Sequence, residues 1–426
     1  MLMDLPSDIL VKILSRLPCE SICRIRCVSK ALLNMVDDPS FVKLHMGYTD
    51  EVPLLMSFAE HYASETNAVI ASLQSVTYDG SGSALTARGQ YAFQVSTTYQ
   101  RDLPPYSIDF VFRNLFCFRN NCDSGVCFLI NPLRGQVLRL PRNDISKIPV
   151  SQYQVIYDWY GMGFDSITNT LKILAVAEFG QFGKPICRAA QVLVLGTGSW
   201  RDVTPPPCRL SGNSSKSASA NGDMHWLIYG NFSEKEIYAR CHIISFDFKK
   251  EKFYWTPHPA AQSSNNFWHL YLLTFRGSLA IVDTSSSQGM ITKIDIWVLK
   301  DYDKKEWTRD YSIDIKNFDL VRQFGLFVRV TCGQWEHGIY FKNFDKIPTF
   351  FLDLRCYSMN TITCGSGDGT KILSYTGSLI SLKDYENSVG AENSTESLKS
   401  YGNLIEEEAQ GFSLFKRHVL RRVSVV

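Results

Sequence analysis

The sequence has no excess of charge. Its 44 Lys and Arg stand against 42 Asp and Glu, a formal net charge of +2 over 426 residues. So balanced a surface has no general pull toward nucleic acid or an anionic membrane, and neither is expected as a partner. Long apolar runs are missing as well, none approaching the ~18 residues a membrane-spanning helix needs. The opening MLMDLPSDIL carries Asp4 and Asp8 and no basic cluster, so no secretory signal is expected. The twelve cysteines are thinly spread and read as reduced thiols of a cytoplasmic or nuclear protein. On that reading the sequons at Asn213, Asn231 and Asn393 stay unmodified.

Catalytic and metal-binding patterns are lacking too. The eight histidines form no His-Glu-x-x-His, and no cysteines stand as Cys-x-x-Cys. Gly196-Thr197-Gly198-Ser199 has the wrong order for a nucleophile elbow. Gly365-Ser366-Gly367-Asp368-Gly369 lacks a phosphate-binding lysine and reads as a turn. Cys117, Cys122 and Cys127 are not expected to converge from strands and read as core thiols. In His225-Trp226, a strand would put the Trp in the core and the His on the other face. No cofactor, no metal and no catalytic residue is expected.

What is present begins with helices. Pro6 suits a first helical turn and Asp8 the positive end of the helix dipole. Ile9, Leu10, Ile13, Leu14 and Leu17 then fall within an arc of about 140° on one helix face. Pro18 ends that helix. A second segment is expected from Glu20 to about Met35, with Ile22, Ile25, Val28 and Leu32 in one stripe and Cys19, Cys23 and Cys27 in another. Three cysteines along a straight helix diverge, so they read as packing residues and not as zinc ligands. Residues 40–46 start a third piece. A module of ~45 residues can barely bury this much apolar surface alone, which implies a docking partner or packing onto the rest of the chain.

The ordered stretches Leu5-Pro6-Ser7-Asp8-Ile9-Leu10, Ile13-Leu14-Ser15-Arg16-Leu17-Pro18, Arg24-Ile25-Arg26-Cys27-Val28-Ser29-Lys30 and Asp38-Pro39-Ser40-Phe41 resemble the plant F-box consensus. The resemblance implies that residues 1–46 dock a Skp-family adaptor and, through it, a cullin. It implies that Leu5, Pro6, Ile9, Ile13, Leu14, Pro18 and Val28 form or support the adaptor surface, with Leu32 at a position where the family usually has Trp. That departure keeps the site apolar with less area, and weaker docking is its expected consequence.

The aromatic share of 13% favours strands in the remainder. Five hairpins share one shape: residues 128–140, 191–203, 243–255, 294–307 and 349–359. Their closing residues Val137, Trp200, Phe253, Trp307 and Tyr357 recur at intervals of 63, 53, 54 and 50. Earlier hairpins at 163–174, 221–229 and 275–283 supply two more strands per repeat. The period resembles that of kelch-type propellers. We therefore expect a small N-terminal helical module followed over 50–385 by an all-β propeller of about six four-stranded blades, with 50–100 and 370–385 sharing the closing one. Asn131-Pro132, Gly163-Phe164-Asp165, Ser199-Trp200, Gly222 with His225-Trp226, and Phe246-Asp247 resemble the recurring signatures of the F-box-associated domain, and the kelch double glycine is mostly missing.

Residues 386–426 read as a flexible polar and then basic tail. The expected role is that of a non-catalytic substrate receptor of a Skp–cullin–F-box ubiquitin ligase, with an unidentified protein target on the propeller. The alternatives are a non-ligase protein- or sugar-binding propeller with a drifted F-box and, least favoured, a propeller enzyme.

Overall fold

The computed structural model describes residues 5–46, 54–63, 68–78, 85–96, 106–112, 115–120, 127–143, 154–180, 187–208, 210, 216–230, 240–259, 267–327, 330–343, 348–362, 371–375, 377–388 and 398–401. Four short helices come first: α1 Ser7–Leu14, α2 Cys19–Arg26, α3 Lys30–Val36 and α4 Pro39–Met46. Pro6 and Pro18 sit at the N-caps of α1 and α2. The single segment expected over 20–35 is broken. Ser29 is extended and its hydroxyl accepts the Leu32 N–H at 3.2 Å, so a new helix starts there. The break also scatters the cysteine stripe: Cys19 is buried, Cys23 half-buried and Cys27 exposed.

Six antiparallel sheets follow. The first joins Leu54–Ala63, Ala68–Tyr78 and Leu85–Ser96 to two strands from the other end of the chain, Lys371–Tyr375 on its inner edge and Leu398–Tyr401 on its outer edge. The second blade is Tyr106–Phe112, Leu115–Asn120, Cys127–Asn131 and Gln136–Arg139. The third is Gln154–Asp165, Thr170–Gly180, Cys187–Val194 and Arg201–Val203. The fourth is Ser217–Ala220, Asp223–Gly230, Arg240–Asp247 and Lys252–Thr256. The fifth is Leu270–Phe275, Ser278–Ser287, Met290–Asp301 and Glu306–Asp314, and the sixth Val330–Trp335, Gly338–Asn343, Thr349–Asp353 and Ser358–Ile362. Five sheets thus have four strands. The closing sheet has five instead of the expected four, because both edges receive strands from beyond residue 370. Part of the tail expected from 386 is therefore a strand. Residues 402–426, the three sequons, Cys122 and the 365–369 glycine run lie outside the described residues.

One turn design recurs. Asn131, Asp165, Asp247, Asp301 and Asp353 each end a strand, and a side-chain oxygen of each accepts turn N–H groups. Four residues later comes a positive φ, at Gly135, Asn169, Glu251, Lys305 and Tyr357. Blades are also tied to their predecessors. Trp200 Nε1 donates to the Pro141 carbonyl at 2.7 Å and Trp307 Nε1 to the Pro257 carbonyl at 2.9 Å. Between the third and fourth blades, the Phe248 ring packs against Gly163, where an added Cβ would lie 1.9 Å from the ring.

Two expectations about the core change. Trp226 and His225 do face opposite ways, but both are buried, because a central blade strand is covered on both faces. The His225 ring nitrogens lie 2.7 Å from Ser245 Oγ and 3.3 Å from the Ala220 carbonyl. Cys117 and Cys127 are core thiols that do converge, with 2.9 Å between their sulfurs.

Candidate functional site

The apolar arc of α1 serves two neighbours. Leu10 and Leu14 turn inward and join Cys19, Ile22, Leu32, Val36 and Phe41 in one cluster with Phe116, Phe118, Phe128, Ile130, Leu133 and Leu379 of the propeller. Each such side chain contributes about 1.5–3 kcal/mol when fully buried, so the helices are seated on the second blade. The seat is close. Gly377, with φ +91°, leaves room for Cys19, whose Cβ would stand 2.6 Å from a Cβ at that position. His45 is buried beneath, its Nε2 2.8 Å from the Leu17 carbonyl.

Asp37, at the end of α3, is the polar lock. Arg26 reaches it at 2.7 Å from α2, and Arg134 at 2.8 Å from the second-blade turn. Burial would raise the Asp37 carboxyl, but the hydrogen bond from Arg26 and the charge of Arg134 outweigh it and hold it below the usual range. Asn131 completes the junction by donating to the Ser378 and Ile380 carbonyls at 3.0 and 2.7 Å.

The other face of the module is open. Ile9 and Ile13 are 43% and 42% exposed, one helical turn apart, and Val28 is 73% exposed at the α2–α3 break. Leu5, Pro6 and Pro18 are exposed too. Of the residues predicted to form or support the adaptor surface, the structure brings these six outward. Leu14 (1%) and Leu32 (3%) lie in the core between module and propeller. Leu32 therefore sets packing beneath the helices and does not itself contribute exposed area.

Comparison with known families agrees with this architecture. Residues 2–44 match the F-box domain, and residues 56–354 match the F-box associated beta propeller domain. The chain belongs to the F-box proteins with an F-box-associated β-propeller. Its relatives include the putative F-box proteins At1g47790 and At1g30920 of Arabidopsis thaliana. They are 25% identical over 71% of this chain and 70% of that protein, and 26% identical over 72% of each. The F-box protein At2g23160 of the same plant is 26% identical over 70% of this chain and 97% of its own length.

With the F-box placed, the two ends of the propeller differ. The turns between first and second and between third and fourth strands lie at the F-box end, with Leu133 and Arg134 among them. Among the described residues, most large apolar side chains exposed outside the F-box stand at the other end. Tyr229 and Trp255 end strands there, Trp268 and Phe327 precede inner strands, and Met290 and Phe324 flank them. Ile167 and Tyr357 are the exceptions at the F-box end. Sequence reasoning missed this face because aromatic residues in strands read as core, and only the topology shows which ones sit at strand ends. Among the described residues, no three His, Cys, Asp or Glu side chains are grouped to hold a metal ion.

Proposed function

We propose that this protein is the substrate receptor of a Skp–cullin–F-box ubiquitin ligase in the cytoplasm or nucleus. The observation that carries the proposal is the division of α1: Leu10 and Leu14 are bound to the propeller while Ile9 and Ile13 are left bare. A helix already packed on one side has no structural need for the second apolar row, and an apolar adaptor surface covers it. Leu5, Pro6, Pro18 and Val28 extend that row, and Leu14 and Leu32 support it from beneath. The aromatic end opposite the F-box is the surface for the protein target. A receptor of this kind accelerates ubiquitin transfer by raising the target's effective concentration near the conjugating enzyme, with no chemistry of its own.

The test is co-purification of the full chain with a Skp-family adaptor and cullin. Ile9→Asp combined with Ile13→Asp should abolish the complex and leave the melting curve unchanged, since both side chains are exposed. Failure of the unmodified chain to bind where a standard F-box binds would overturn the reading and leave the propeller as a binding module with a drifted F-box.

A further inference from the structure

The connection between the fifth and sixth blades crosses the end of the ring opposite the F-box. It holds a short helix, α5 Asp319–Phe324, which closes on Gly325 with φ +70°. The Gly325 N–H donates to the Val321 carbonyl at 2.9 Å. Beyond it Leu326 is buried and its carbonyl accepts the Ile291 N–H at 2.7 Å. Phe327 then bridges to Met290 at the turn of the fifth blade. Inward and outward side chains alternate along both segments. Val321, Leu326 and Ile291 join the core of the two blades, while Phe324, Phe327 and Met290 are exposed. Gly325 lets the Phe327 ring lie close, since a Cβ there would stand 2.9 Å from it. A shelf of large apolar side chains is thus held outward on a frame anchored from within. The fold has no need of them in water, as it has none of Ile9 and Ile13.

The border of the shelf offers hydrogen bonds and no unbalanced charge. Ser286, Ser287, Gln288 and Gln323 are exposed and neutral. Lys293 is paired with Asp295 at 2.8 Å and Lys316 with Asp314 at 3.0 Å. Arg322 donates to Asn317 Oδ1 at 3.0 Å, and Asp319, one helical turn before it, offsets its charge.

We propose that this shelf holds the protein target, and that the target presents an uncharged stretch rich in large apolar side chains. The inference rests on the reading of this end of the ring as the target surface. An apolar side chain laid on Phe324, Phe327 and Met290 is stabilised by burial. The neutral rim can hydrogen-bond the backbone of the same stretch. A charged side chain would lose its hydration and meet no unbalanced counter-charge among the described residues. Side chains held in place before binding also lose little freedom on contact.

The test pans a phage library of random peptides against the immobilised full chain. Peptides enriched over background should be rich in Leu, Ile, Phe and Trp and poor in Asp, Glu, Lys and Arg. A synthetic copy of an enriched peptide is then titrated by fluorescence anisotropy. Phe324→Ser and Met290→Ser should each weaken its binding about tenfold. Both side chains are exposed and neither variant removes the contact of Phe327 with Gly325, so the melting curve should not move. Trp255→Ser, on the outer strand of the fourth blade, should leave binding unchanged. Co-purification with the Skp-family adaptor should be the same for all these chains. Its failure would count against the receptor reading alone, because the peptide is measured without the adaptor. Enrichment of charged peptides, no enrichment, or binding that follows Trp255 and not Phe324 and Met290 would overturn the proposal. So would a dimer of the unmodified chain that Phe327→Ser makes monomeric, since the shelf would then be a contact between copies.

Discussion

Asp37 binds Arg26 of its own module at 2.7 Å and Arg134 of the second blade at 2.8 Å, so a single carboxylate ties the F-box to the propeller. The Arg134 side chain is only 4% exposed, whereas Arg26 is 36% exposed. Arg134 is therefore the more shielded of the two partners, and its loss leaves Asp37 matched by Arg26 alone. Arg134→Met should destabilise the protein by about 1–3 kcal/mol. A double-mutant cycle with Asp37→Asn should return a coupling of about 0.5–3 kcal/mol in urea unfolding. Hydrogen exchange should quicken in the F-box helices before it does in the distant fifth blade.

Gly163 is a steric requirement of the ring. A Cβ there would lie 1.9 Å from the Phe248 ring and 2.5 Å from the Gly222 carbonyl, and backbone cannot yield as a side chain does. Gly163→Ala should destabilise by about 1–3 kcal/mol or more. Because the clash lies at the interface of the third and fourth blades, calorimetry should show a broadened transition as well as a lower Tm. The double variant with Phe248→Ala would still meet the Gly222 carbonyl, so it should recover only part of the loss.

Tyr357 offers the opposite result. Its φ of 53° lies in the left-handed region, its side chain is 55% exposed, and a Cβ adds strain there. Tyr357→Gly relieves that strain and should stabilise the chain by about 0.4–1 kcal/mol, net of the extra freedom glycine adds to the unfolded state. A rise in the urea midpoint with an unchanged slope would show this.

Stability should depend on pH at both ends of the scale. Burial pushes His225 down from 6.5 to about 3 and His258 from 6.5 to about 4. Both are neutral in the fold, whereas the unfolded chain protonates them below about 6.5. Their contribution is complete above that pH and falls away toward 4 and then 3. Burial also pushes Lys216 down from 10.5 to about 7, so its contribution is full above 10.5 and is lost as pH falls through 7. In urea melts from pH 4 to 9 these three groups should contribute stability that rises with pH, opposed at the acid end by Asp223, whose carboxyl burial raises. His258→Gln should flatten the acid limb, and Lys216→Met should flatten the alkaline one and raise stability at pH 7.

Much of the fold was legible from residue order, for physical reasons. Strands such as 349–353 and 294–299 are dense in β-branched and aromatic residues, and helix α1 has a helical apolar period with a proline before it. The repeating turn was present in the sequence but disguised. Its fourth-following residue is Gly only at Gly135 and is Asn, Glu, Lys or Tyr elsewhere, so a search for glycine passes over it. The candidate site was half legible. Periodicity marks Ile9, Leu10, Ile13 and Leu14 as one face, but which pair turns outward depends on Phe116 and Phe128, more than a hundred residues away. The Cys117–Cys127 approach likewise depends on sheet twist, which residue spacing does not carry.

The inner strand of the first sheet, Lys371–Tyr375, has a consequence for biosynthesis. A ribosome releases the F-box first, but the ring lacks that strand until nearly nine-tenths of the chain has been made. The last part of the floor under the F-box arrives later still, since Gly377, Ser378, Leu379 and Ile380 all follow that strand. A product ending before residue 377 would carry the outward row of α1 on the part of the platform that the second blade supplies. Full seating of the F-box therefore waits on residues that the ribosome adds more than three hundred positions after it.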